Sequence, residues 1–207
     1  MLVKKSFTAL LLGTLLLSGC ARQATYVKPT DVQSNEAVSL GIDEADIEKA
    51  VVEAVQSMLK NPYLMKNDGK QYVVAISTVI NDTMQRFDTD LLTKKIRIEL
   101  LQNGKGKFIT TTAVRAGGPE DAMSYQARQL RNSKEFNQKT VAAEGQMIAP
   151  DYSLSGKVIQ RDTKIGSGDK RVDYSFQLTM TDIKTGLAFW EGETKVSKIG
   201  SNDSTSW

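Results

Sequence analysis

From Val172 to Thr181 the chain alternates without a break. Val172, Tyr174, Phe176, Leu178 and Met180 interleave with Asp173, Ser175, Gln177, Thr179 and Thr181. Successive side chains of a strand point to opposite faces, so this stretch has to lie with one face on a core and the other in water. A slip of one residue would bury the polar set, and the pattern therefore fixes register too. The strand is predicted over Arg171–Lys184, between strands at Tyr152–Arg161 and Leu187–Lys198. Gly166-Ser167-Gly168 and Thr185-Gly186 supply tight turns, which makes the three an antiparallel meander. In the last strand Glu191, Glu193 and Lys195 share one face, and Ala188, Trp190, Gly192, Thr194 and Val196 share the other.

The chain upstream supplies what covers the apolar face. Between Asp43 and Lys60, Ile47, Ala50, Val51, Ala54, Val55, Met58 and Leu59 recur at helical spacing behind an acidic first turn, and Asn61-Pro62 stops the helix. Tyr72–Ile80 ("YVVAISTVI") is β-branched and almost wholly apolar, as in a central strand. A turn at Asn81-Asp82-Thr83 leads to a helix over Asp88–Asn103, expected to bury Leu91, Leu92, Ile96, Leu100 and Leu101 and to stop at Gly104. A shorter strand is predicted over Lys107–Val114. Beyond the Gly117-Gly118-Pro119 break, helices are expected over Glu120–Leu130 and around Gln138–Gln146. The order αβαβααβββ implies an α/β fold, helices packed on a mixed sheet that ends in an antiparallel meander.

The chemistry open to this chain is narrow. It holds no histidine and a single cysteine, Cys20, near its start. Histidine is the usual general base near neutral pH and the commonest transition-metal ligand, so no cofactor or metal site is expected. Lys4 and Lys5 precede an apolar run from Phe7 to Leu17, followed by Ser18, Gly19 and Cys20. A basic start, a short apolar run and small residues make a secretory signal over residues 1–19. Those residues carry two of the 27 basic side chains and none of the 24 acidic ones, so the mature chain is nearly neutral and gives no support to nucleic-acid binding.

Residues 21–42 ("ARQATYVKPTDVQSNEAVSLGI") are polar and weakly patterned, the composition of a flexible tether. Extended, they would reach at most about 75 Å. The expected organisation is a signal at 1–19, Cys20 and its tether through 42, one domain over 43–198, and a disordered tail at 199–207.

Two motifs mimic a serine transpeptidase: S-x-x-K at Ser57–Lys60 and Ser167–Lys170, and Lys184-Thr185-Gly186. One S-x-x-K ends a helix, the other sits in a hairpin, and the Lys-Thr-Gly is a turn. No catalytic residue is assigned.

Leu17-Ser18-Gly19-Cys20 resembles the lipobox of bacterial lipoproteins. That likeness implies cleavage before Cys20, acylation of its thiol and a lipid anchor. Ala21 then follows the cysteine, which implies outer-membrane sorting, with the domain facing the periplasm. "STVINDT", "ELLQNGKGKFITT", "APDYSLSGKV" and "DIKTGLAFWEGETKVSK", in that order, resemble the LpoB-type outer-membrane lipoproteins that activate bifunctional penicillin-binding proteins. The resemblance implies a domain similar to the amino-terminal domain of TolB, a non-catalytic role, and a peptidoglycan synthase as partner. Asn81 and Thr83 match the family's polar turn, and with Arg86 they are the candidate partner-binding residues. Tyr152 and Trp190 match positions expected to anchor the sheet. A curli-type secretion lipoprotein, which shares a related core, is the alternative reading. Enteric members carry a longer, proline-rich tether, whereas this one holds Pro29 alone.

Overall fold

The computed structural model describes residues 39–64 and 69–203. The signal segment, Cys20 and the tether up to residue 38 lie outside the described residues, as do 204–207 of the tail. Among the described residues eight elements follow in the order α1 (Glu44–Leu59), β1 (Tyr72–Asp82), α2 (Thr89–Asn103), β2 (Phe108–Thr111), α3 (Ala122–Gln129), β3 (Tyr152–Ile165), β4 (Asp169–Asp182) and β5 (Ala188–Ser201). The strands form one mixed sheet in the order β2-β1-β3-β4-β5. β1 runs parallel to both β2 and β3, and β3, β4 and β5 form the expected antiparallel meander.

On β4, Val172, Tyr174, Phe176, Leu178 and Met180 are all buried, while Gln177 is exposed. They join one core with Ile47, Val51, Ala54 and Met58 of α1, Leu92, Ile96 and Leu100 of α2, and Val74, Ile76 and Leu154 of the sheet. Each of the larger aliphatic and phenyl side chains contributes roughly 1.5–3 kcal/mol relative to exposure. α1 lies over β4 and β5 and beside α2, which lies over β1 and β2. Between β1 and β3 the register shifts from Ile76 to Val79, and Gly156 closes the gap. A Cβ on Gly156 would meet Leu178 Cδ2 at 2.7 Å and the Gln177 carbonyl at 2.8 Å, so the crossing needs a residue without one.

Several expectations change. α2 buries Arg97 and Glu99 beside its leucines, and leaves Leu91 and Leu101 exposed. Leu92, Ile96 and Leu100 centre its buried stripe, and at helical spacing Leu91 and Leu101, five residues either side of Ile96, point about 140° away from it. The helix expected at Gln138–Gln146 is absent. There Gln138 Nε2 donates to the carbonyls of Ser133 and Phe136, Lys139 N–H donates to Asn137 Oδ1, and Gly145 has φ +74°. Side-chain amides satisfy backbone groups that a helix would otherwise pair. β2 has four residues instead of the eight expected, and Ala113 N–H turns back to Thr111 Oγ1. The folded part begins ahead of Asp43, since Leu40 and Ile42 are buried, and β5 continues past Lys198 to Ser201.

Candidate functional site

The chain enters the domain beside the end of β1. Ile42 N–H donates to Gln85 Oε1 and Gln85 Nε2 donates to the Ile42 carbonyl, both at 2.8 Å. Tyr174 Oη donates to the Leu40 carbonyl, and Lys198 Nζ donates to that of Gly41. Asp43 then opens α1 with a capping box: Asp46 N–H donates to Asp43 Oδ1, and Asp43 N–H to Asp46 Oδ2. Lys198 Nζ lies 3.1 Å from Asp43 and 2.5 Å from Asp46. Burial raises the Asp43 carboxyl, but the Asp46 N–H and the Lys198 ammonium outweigh it and hold it below the usual carboxylate range.

The Asn81–Arg86 turn is built from side-chain amides. Asn81 Nδ2 donates to the Gln85 carbonyl, Thr83 N–H donates to Asn81 Oδ1, and Thr83 Oγ1 sits 2.7 Å from that same oxygen. Met84 N–H donates to Gln160 Oε1 of β3, and Lys157 pairs with Asp82 at 2.6 Å. Asn81 and Thr83 therefore meet, and their polar atoms face inward to shape the turn. Arg86 does not join them; it is exposed, without an ion pair among the described residues, and so is Met84 at 59 % exposure.

Beside this turn the polar face of β3, β4 and β5 is open. Its rows run Lys157–Gln177–Glu193, Ile159–Ser175–Lys195 and Arg161–Asp173–Ser197 across the three strands. Ser197 Oγ and Arg171 Nε donate to Asp173, Gln177 Nε2 donates to Glu193, and Lys195 pairs with Glu193. The Ser197 hydroxyl, then Arg171, holds the Asp173 carboxyl below its ordinary range, and Gln177, then Lys195, does so for Glu193. Both stay ionised near neutral pH. The face includes a groove of about 360 Å³ between Arg161, Arg171 and Lys195. Alternating charge on a rigid sheet is suited to recognising a partner's surface.

The β4 alternation signalled this face, but its partners on β3 and β5 follow only from the pairing register. Gln85 and Gln160 carried no local signal at all, because each acts on a residue far away in the chain. The transpeptidase mimics are separated. Ser167 lies in the β3–β4 hairpin and Lys184 beyond the far end of the 14-residue β4, roughly 45 Å away at strand rise. Asp182 Oδ1 accepts from the N–H groups of Lys184 and Thr185, so that motif closes a turn. Tyr152 is buried among Tyr72 and Phe189, at ring distances of 5.0 and 5.1 Å, and burial pushes its hydroxyl up to about 12. Trp190 packs half-buried against the core. Both are sheet anchors, as expected. Among the described residues no helix is long and apolar enough to cross a membrane.

Residues 46–196 match the family model described as peptidoglycan-synthase activator LpoB. Among solved structures, the LpoB C-terminal domain of Salmonella enterica is 16 % identical, covering 73 % of this chain and 98 % of that one, with a TM-score of 0.45. For the LpoB C-terminal domain of Escherichia coli the values are 16 %, 72 %, 98 % and 0.41. A lipoprotein of Neisseria meningitidis, GNA1162, is 9 % identical, covering 65 % of this chain and 87 % of that one, with a TM-score of 0.34. No curated protein matches the chain.

Proposed function

Because the chain belongs to the peptidoglycan-synthase activator LpoB family, we propose that it is an outer-membrane lipoprotein that docks on a bifunctional penicillin-binding protein and stimulates it without catalysing a reaction itself. Cys20 carries the lipid, residues 21–38 form most of the tether, and the domain works in the periplasm. The observation that carries the reading is the extent of the family match, which runs from the first turn of α1 to β5 and so spans the whole sheet.

The docking surface is the open face of β3–β5 with the adjoining turn. Its charges are held in place by cross-strand hydrogen bonds, so little side-chain freedom is lost on contact. Met84 and Arg86 project from a turn that Asn81, Thr83, Gln85 and Gln160 keep rigid. An exposed apolar side chain beside an arginine is the composition that interface cores favour.

The test is a glycan-polymerisation assay with the purified mature protein and a bifunctional penicillin-binding protein of the same organism. The wild type raises the polymerase rate, and Met84→Ala with Arg86→Ala lowers the stimulation several-fold while leaving the circular dichroism spectrum unchanged. Absence of stimulation of every such synthase overturns the proposal. Rings of the lipidated protein that conduct ions would favour the secretion-lipoprotein reading instead.

A further inference from the structure

α1 and α2 both begin beside the chain entry and both end at the opposite pole. β1 spans that distance, about 35 Å for its eleven residues. At the far pole, Lys60 follows α1, and Gly104 to Lys107 link α2 to β2. There Gln56, Leu59, Lys60, Asn103, Lys105 and Lys107 line a cleft of about 310 Å³, with no carboxylate in its wall among the described residues. None of the three lysines forms an ion pair among the described residues. Two acids at this pole of the sheet are already engaged. Asp151 Oδ2 accepts from Val73 N–H, and Asp182 Oδ1 accepts from two N–H groups of its own turn. The entry pole differs, because there Asp43, Asp46, Asp82 and Asp90 all meet cations. Two helix C-termini add about half a negative charge each, which three ammonium groups exceed.

We infer that this cleft binds a carboxylate-bearing peptide, and that its occupant is the cross-linking peptide of peptidoglycan. The inference rests on the envelope location proposed above. Cations supply the recognition of carboxylates, and the carboxamides of Gln56 and Asn103 can pair with peptide amides in both directions. A concave site with amide groups fits a peptide chain better than a flat anionic lipid surface, which calls for a longer run of basic residues. Exposed lysines give modest affinity individually. A polymer that repeats its ligand at high local density keeps such a site occupied by mass action. The contact would hold the domain against the wall by the pole farthest from its chain entry, leaving the open sheet face clear.

Co-sedimentation of the mature protein with purified peptidoglycan sacculi tests this. The wild type pellets with sacculi, and added salt weakens the association. Lys60→Gln with Lys105→Gln and Lys107→Gln lowers binding about tenfold. Lys49→Gln with Lys94→Gln and Lys164→Gln, the same loss of charge at exposed positions elsewhere, leaves it within about twofold of wild type. Glycan strands stripped of their peptides by an amidase fail to bind, and so do vesicles of anionic phospholipid. The inference is overturned if the wild type stays in the supernatant, if both triple variants behave alike, or if stripped glycan or vesicles bind as well as sacculi. Synthase stimulation is measured in parallel. Stimulation without sacculus binding sinks only this inference, and sacculus binding without stimulation sinks only the proposed activation.

Discussion

The indole of Trp190 lies across Gly192 on the outermost strand. A Cβ on Gly192 would stand 2.4 Å from both Cη2 and Cζ2 of the ring. The glycine is the seat of the aromatic, which covers a stretch of edge backbone that would otherwise face water. Gly192→Ala is expected to displace the ring and cost about 1–2 kcal/mol by the usual scale of overpacking. In a Trp190→Ala background the same change should be close to neutral. Urea titrations of the four proteins give the coupling, and additive losses would show that the ring does not rest there.

Phe176 and Gln177 are neighbours on β4 with opposite fates. Phe176→Asp places a carboxylate in the core beneath α1 and should cost several kcal/mol, enough to unfold the domain. Gln177→Asp, on the open face, should shift the urea midpoint only slightly. Equal losses would mean that the strand sits in another register.

Arg97 is almost fully buried on α2 and grips Glu120 through its two terminal guanidinium nitrogens, fastening the start of the segment that carries α3. That hydrogen-bonded pairing holds the Glu120 carboxyl below its ordinary value of 4.5. A carboxyl depressed in the folded state contributes stability that is fully present above its unfolded value and is lost as the pH falls through the folded one. Protection of residues 112–121 against hydrogen exchange should therefore be level from pH 7 to about 5, relative to intrinsic rates, and fall below about 4.5. Glu120→Gln should remove this pH dependence. A wild-type profile that stays level to pH 3 would show that the clamp contributes nothing.

Cys20→Ala should abolish labelling by a fatty-acid analogue and leave the precursor uncut or released from the outer-membrane fraction. Density-gradient fractionation checks it. A mutant that still bands wholly with the outer membrane would remove the anchor from the proposal.

Much of the sheet was legible because its signals are local. The β4 alternation and the apolar spacing of α1 each place their residues without reference to anything distant. α2 was harder, since Leu91, Leu92, Leu100 and Leu101 offer two neighbouring stripes, and only contact with the sheet chooses between them. The absent helix at Gln138–Gln146 failed for a related reason. Its glutamines and asparagines look compatible with a helix until their amides bond to the backbone nearby. At the candidate site, Asn81 and Thr83 were recognisable as a turn, because an Asx side chain closes on its own backbone. Gln85 and Gln160 were not, since each reaches a residue that only the finished fold brings near.

The entry at Leu40–Ile42 also has a mechanical side. A pull on the chain ahead of Ser39 meets the Tyr174 hydroxyl on β4, the Lys198 ammonium on β5, the Gln85 amide after β1, and the Leu40 side chain pressed against Gly200. The load is divided among two strands and the turn after β1 before it reaches the first turn of α1. A domain strung between two envelope layers would then yield first by shedding these few residues. That would lengthen its leash by several ångströms while the sheet behind it stays whole.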